Sequence, residues 1–81
     1  MAERSRFFRV PLEHIGFVRA IVEAEEGLAQ LYAADPDRGE VELVFPEECA
    51  LEADALARRL ARATGWVEIP RPADWRVERS P

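Results

Sequence analysis

The chain has 81 residues, enough for one small domain, and its 48% hydrophobic content argues against intrinsic disorder. Its 16 acidic residues outnumber its 11 basic ones, and the net charge of −5 argues against binding to a nucleic-acid backbone. No apolar run approaches the roughly 18 residues that a membrane-spanning helix needs, so we expect no membrane contact. The single cysteine excludes an internal disulfide framework and favours a reducing, cytoplasmic setting.

The basic residues are all arginine, and lysine and asparagine are both absent. Low contents of asparagine, glutamine, cysteine and methionine are typical of proteins kept at high temperature. A biased genome composition produces the same pattern. The composition therefore fits a thermophilic origin and a biased genome composition equally well.

The first two elements differ in their hydrophobic period. Residues 5–10 alternate and place Phe8 and Val10 on one side, which predicts a half-buried strand. Apolar residues then recur every three or four positions from about 12 to 25, which predicts an amphipathic helix. Gly27 is well placed to end that helix in a left-handed conformation.

The rest of the chain continues with two strands, a helix and a last strand. Residues 28–34 and 40–45 are predicted strands, and the turn residues 35–39 between them indicate an antiparallel hairpin. Residues 47–64 form a predicted helix whose acidic residues come early and whose arginines come late, an order that complements the helix dipole. Residues 66–70 are predicted to form a short final strand.

The order βαββαβ predicts an α+β fold, a ferredoxin-like sandwich. We expect a four-stranded antiparallel sheet in the order 4-1-3-2 with both helices on one face. Residues 1–70 are expected to be a single domain, and residues 71–81 a C-terminal tail.

The segment from Val10 to Gly65, most of the chain, resembles a family of short bacterial proteins known only as a domain of unknown function. The resemblance involves the segment Glu25-Glu26-Gly27-Leu28-Ala29, the turn Asp35-Pro36 followed by Gly39, the strand Val41-Glu42-Leu43, and Ile15-Gly16-Phe17 in the first helix. The resemblance implies a fold and little more, because the family has no established activity. More loosely, the layout is similar to ACT domains, which are regulatory modules that bind amino acids or other small molecules at subunit interfaces.

The sheet face away from the helices is the predicted interaction surface. If Val67 and Ile69 point toward the helices, alternation leaves aromatic, aliphatic and charged side chains on the opposite face. Arg9 is then expected between Glu42 and Glu68 in a cross-strand ladder. A second copy is expected to cover this face and form a homodimer, or else the C-terminal tail folds back over it. The expected interface residues are Phe7, Arg9, Tyr32, Glu42, Val44, Trp66, Glu68 and Trp75.

A second candidate site lies where the two predicted helices begin. We expect the first and third strands to be parallel neighbours, which would bring both helix starts to the same edge of the sheet. A small ligand would then lie near His14, Gly16, Glu47 and Cys49. Although histidine, cysteine and carboxylates can bind zinc, a core cysteine and a partly exposed histidine are the simpler interpretation. We therefore predict no metal and no cofactor.

The motifs of catalysis have little support in the sequence. It has no glycine-flanked nucleophile, no glycine-rich phosphate loop and a single histidine. We predict a non-catalytic, self-associating binding or regulatory module with a small molecule or a protein as partner. Two alternatives stay open: a small enzyme that uses carboxylates and His14, and a domain that stacks single-stranded RNA on Phe7, Tyr32 and Trp66.

Overall fold

The computed structural model describes residues 2–72, so the rest of the expected tail, with Trp75, lies outside the described residues. Both helices begin directly after a 3-10 turn that follows a proline, later than the sequence pattern predicts. The strands are β1 (Glu3–Arg9), β2 (Gln30–Asp35), β3 (Glu40–Pro46) and β4 (Val67–Ile69), and the helices are α1 (Ile15–Ala24) and α2 (Ala50–Thr64). The 3-10 turns are Leu12–His14, Pro36–Arg38 and Glu47–Cys49.

The four strands form one antiparallel sheet in the order β2-β3-β1-β4. Read from the β4 edge, the same neighbours follow in the order 4-1-3-2. The pairing of β2 with β3 is irregular between Ala33 and Asp35. The predicted α+β class, with four antiparallel strands and two helices, is confirmed.

The core lies between one sheet face and the two helices. β3 contributes Val41, Leu43 and Phe45 at alternate positions, as expected for a strand with one face on the core. The helices contribute side chains spaced three or four residues apart, which form one stripe on each helix. These helical core residues are Val18, Val22, Ala53, Leu56, Ala57 and Leu60.

The C-terminal end of α2 places Trp66 in this core. Gly65 has a φ of 76° and ends the helix in the left-handed region, where glycine has no steric penalty. The backbone N–H of Trp66 donates to Oγ1 of Thr64 at 3.1 Å, and its indole Nε1–H donates to the carbonyl of Ala57 at 3.0 Å. The indole stacks on Phe8 with ring centroids 3.9 Å apart.

The orientation expected for β4 is therefore wrong. Ile69 is opposite Phe7, and Val67 is opposite Arg9, so both aliphatic side chains lie on the face away from the helices. Glu68 is opposite Phe8 on the helix side, and Trp66 is buried there at 4% exposure. The indole has more apolar area to bury than either aliphatic chain, which explains why the strand takes this orientation.

Within residues 2–72, no helix is both long and apolar enough to span a lipid bilayer.

Candidate functional site

The two helix starts lie at opposite ends of the sheet. β1 and β3 are antiparallel, with Arg9 opposite Glu40 at one end and Glu3 opposite Pro46 at the other. α1 follows the first of these ends, and α2 follows the second. The expected parallel pairing is wrong, because these neighbouring strands run in opposite directions.

The ligand site predicted at the helix starts is consequently not assembled. His14 and Gly16 belong to the end of the sheet where β1 finishes. Glu47 and Cys49 belong to the other end, where the backbone N–H of Glu47 donates to the carbonyl of Ala2 at 3.0 Å. Among residues 2–72, no three His, Cys, Asp or Glu side chains are grouped so that they could hold a metal ion.

The sheet face away from the helices, here called the outer face, carries most of the predicted interface residues. Phe7 and Tyr32 are each opposite Glu42 in the register, so the three form a row across the sheet. Val44 is opposite Ser5 in the next row. Trp66 and Glu68, which were expected on this face, lie on the helix side.

The centre of the outer face is buried. Phe7 and Val44 are each 3% exposed, and Glu42 has no exposed surface. The hydroxyl of Ser5 donates to Oε2 of Glu42 at 2.7 Å, and the guanidinium of Arg71 lies 5.1 Å from the centroid of the Phe7 ring. These side chains are already buried in the single chain, and the homodimer expected across this face stays a prediction.

The expected ladder of Glu68, Arg9 and Glu42 is also wrong. Nη2 of Arg9 donates at 2.9 Å to Oε2 of Glu40, which is its register partner on β3. Glu68 instead accepts from Nε and Nη2 of Arg6 at 3.0 and 2.8 Å on the helix side. The hydrogen bonds from Arg6 are the main reason that the pKa of Glu68 lies below its usual value.

A concavity that could take a small ligand is a cleft between the α1–β2 loop and α2. It has a volume of about 450 Å³. One face of α2 forms one wall, because its lining positions 52, 55, 56 and 59 are related by steps of three and four residues along the helix. The cleft is lined by Glu25, Glu26, Gly27, Leu28, Cys49, Glu52, Ala55, Leu56 and Arg59.

The cleft combines an apolar floor with a charged rim. Leu28 and Ala55 supply accessible aliphatic surface, whereas the charged side chains are three glutamates and one arginine. Nη2 of Arg59 donates to Oε2 of Glu25 at 3.4 Å across the cleft. The rim therefore has a net negative charge, and its excess carboxylates favour a cationic group.

Of the four residues predicted for a ligand site, only Cys49 lines this cleft. Its thiol is free and partly exposed. The cleft was missed because its walls are separated by more than twenty residues in the sequence. One wall of the cleft was nevertheless marked in the sequence, because the segment Glu25-Glu26-Gly27-Leu28-Ala29 is one of those that support the family resemblance.

A comparison with protein families matches residues 8–63 to the domain of unknown function DUF4911, which covers more than half of the chain. The chain belongs to this family. No curated protein and no solved structure matches it. The cleft of this DUF4911 domain lies entirely within the matched residues.

Proposed function

We propose that this DUF4911 domain is a non-catalytic binding domain whose site is the cleft between the α1–β2 loop and α2. The supporting observation is a concavity of about 450 Å³ that has an aliphatic floor and a net negative rim. Small-molecule sites commonly have volumes of roughly 300–1,000 Å³, with apolar walls and a few polar groups. The ligand class that fits is a small amine with an apolar portion.

The rim suggests how such a ligand binds. The ammonium group competes with Arg59 for the carboxylate of Glu25, which is possible because both side chains are more than one-third exposed. Glu52 supplies a second carboxylate, and the apolar portion lies on Leu28 and Ala55. An exposed ion pair stabilises a fold by only about 0–1 kcal/mol, so displacing Arg59 costs little.

The two alternative functions have less support. The enzyme alternative needs His14 close to carboxylates, but Glu47 and Glu48, which were expected beside it, belong to the opposite end of the sheet. The RNA alternative needs exposed rings for base stacking, but Phe7 and Trp66 are only 3% and 4% exposed. A binding role therefore fits the arrangement better than either one.

The proposal retains three finer expectations. The connectivity and strand neighbours support assignment to the ferredoxin-like fold. A regulatory role of the ACT type fits a domain that binds a small molecule without transforming it. A free cysteine, Cys49, supports a reducing cytoplasm as the working compartment.

The single cysteine provides a direct test of the cleft. We expect phenethylamine to slow the alkylation of Cys49 by iodoacetamide several-fold, because the bound amine shields the thiol. 3-Phenylpropionate has a similar apolar portion and the opposite charge, so it should give no protection. Intact-mass measurement against time gives the rate without ambiguity, since the chain has no other thiol.

Two matched variants localise the effect. Glu52→Gln removes a carboxylate from the rim and should weaken the protection, whereas Glu48→Gln changes a nearby exposed carboxylate outside the lining and should preserve it. Equal protection in both variants would contradict the assigned site. Absence of protection at millimolar amine would contradict the proposed ligand class.

A further inference from the structure

One end of the molecule carries an exposed leucine among carboxylates, which we call the acidic knob: Leu51, Glu48 and Glu52. Leu51 lies in the first turn of α2 and is 84% exposed. Both glutamates are exposed beside it. A single exposed leucine is ordinary on a protein surface, so the acidic knob indicates an interaction site only if a complementary surface lies elsewhere on the molecule.

The other end carries that complementary surface, an apolar concavity of about 320 Å³ that we call the end groove. Leu12 and Val67 lie in it with 60% and 61% of their surfaces exposed. The charged residues that line it are Arg9 and Arg38. Because Arg9 already pairs with Glu40 at 2.9 Å, the groove offers apolar surface beside the positive charge of Arg38, the reverse of the knob.

The two surfaces cannot meet within one chain. Gly65, at the C-terminal end of α2, lines the end groove, whereas Leu51 lies at the start of the same helix. At about 1.5 Å of rise per residue, the helix separates them by roughly 21 Å. Because the helix is rigid, the knob of one molecule can reach only the groove of another.

We propose that copies of this chain associate head to tail, with Leu51 of one copy in the end groove of the next. Leu51 packs against Leu12 and Val67, while the glutamates of the knob face Arg38. Such a contact joins two different surfaces and leaves one of each free, so repeated association produces an open filament or a closed ring of copies. It shares Glu52 with the ligand cleft and differs from the outer-face dimer expected from the sequence.

Sedimentation velocity at low salt, from micromolar to millimolar protein, tests the proposal. The average mass should rise above the 9.2 kDa monomer and continue past the dimer as the concentration increases. Leu51→Arg and Arg38→Glu should each weaken association by at least about tenfold, the equivalent of ~1.4 kcal/mol. Phe17→Ser, which removes a half-exposed apolar side chain outside both surfaces, should associate like the wild type.

Mixing the two defective variants gives the decisive measurement. Leu51→Arg keeps an intact groove and Arg38→Glu keeps an intact knob, so an equimolar mixture should form pairs that grow no further. Circular dichroism verifies that each exposed substitution leaves the fold intact. A wild type that stays monomeric at millimolar concentration would overturn the proposal, as would a discrete dimer insensitive to Leu51→Arg or a mixture that forms no pairs.

Discussion

The two faces of the central strands are both buried, but different interactions bury them. On the helix side, Phe8 stacks on Trp66 and packs in a continuous apolar cluster. On the outer face, its neighbour Phe7 lies beside Glu42 and under the guanidinium of Arg71. One face is held by close packing, and the other combines apolar groups with a buried carboxylate.

This difference shows that alternating polarity does not always mean alternating exposure. Glu40 and Glu42 occupy the polar positions of β3, yet they are only 7% and 0% exposed. Hydrogen bonds donated by Arg9 and Ser5 replace some of the hydrogen bonds that water would otherwise donate to these carboxylates. The outer face is therefore a second buried layer whose stability depends on hydrogen bonds as well as on packing.

The largest expected effect comes from Trp66→Ala on the helix side. The substitution removes a ring stacked on Phe8 and leaves the carbonyl of Ala57 without its indole donor. We expect a loss of about 3–5 kcal/mol in the free energy of unfolding, the usual cost of a large aromatic deletion in a core. Urea denaturation followed by circular dichroism measures it.

Val67→Ala is the matched control, because Val67 is the next residue and is 61% exposed. Its cost should stay within about 0.5 kcal/mol. If Val67→Ala destabilised the protein as much as Trp66→Ala, the observed orientation of β4 would be incorrect. The orientation expected from the sequence, with Val67 toward the helices, predicts instead that Val67→Ala strongly destabilises the protein.

The contrast between β4 and the other elements explains what the sequence could predict. α2 has fifteen residues and a repeated apolar stripe, so its identity and its buried side were clear from the pattern. β4 has only three residues. Alternation places Trp66 and Glu68 on one face and Val67 and Ile69 on the other, but it does not say which face contacts the helices. Periodicity cannot choose between the two orientations; the area of the indole decides.

The candidate site was harder to predict than the fold, since it depends on strand direction and long-range approach. Because β1 and β3 were expected to be parallel, His14 and Cys49 were expected to lie close together. The two strands are antiparallel, and these residues belong to opposite ends of the sheet. The actual cleft brings Glu25 to Arg59 at 3.4 Å across a separation of 34 residues. Neither residue belongs to a motif whose spacing indicates this contact.

The second largest effect should come from Glu42→Ala on the outer face. The substitution leaves the Ser5 hydroxyl without the carboxylate to which it donates at 2.7 Å, and it opens space in a fully buried position. We expect a loss of about 1–3 kcal/mol in unfolding free energy, typical of a buried polar group deprived of its partner. Urea denaturation at neutral pH measures it.

Glu42→Gln and Glu48→Ala sharpen this result. The amide of Glu42→Gln still accepts a hydrogen bond from Ser5, so this variant should lose less stability than Glu42→Ala. Glu48 is exposed, and its replacement should change stability by less than about 0.5 kcal/mol. Equal stabilities for Glu42→Ala and Glu48→Ala would mean that the outer face is an ordinary solvated surface.

The smallest effect concerns Glu68 at the margin of the helix side and depends on pH. Hydrogen bonds from Arg6 lower the pKa of Glu68 more than its partial burial raises it. The folded state therefore favours the ionised carboxylate, whose contribution is complete above the unfolded pKa of about 4.3 and is lost as the pH falls through the lower folded pKa. Because Glu68 is about half exposed, we expect Glu68→Gln to cost no more than ~1 kcal/mol at pH 7.

Unfolding curves for the wild type and Glu68→Gln should therefore converge as the pH falls through the lowered folded pKa of Glu68. Combining Glu68→Gln with Arg6→Gln should cost less than the sum of the two single variants, because both remove the same ion pair. The combination with Arg9→Gln should be additive, since Arg9 pairs with Glu40 on the other side of the sheet. Coupling of Glu68 to Arg9 instead of Arg6 would place Glu68 on the outer face and reverse the orientation of β4.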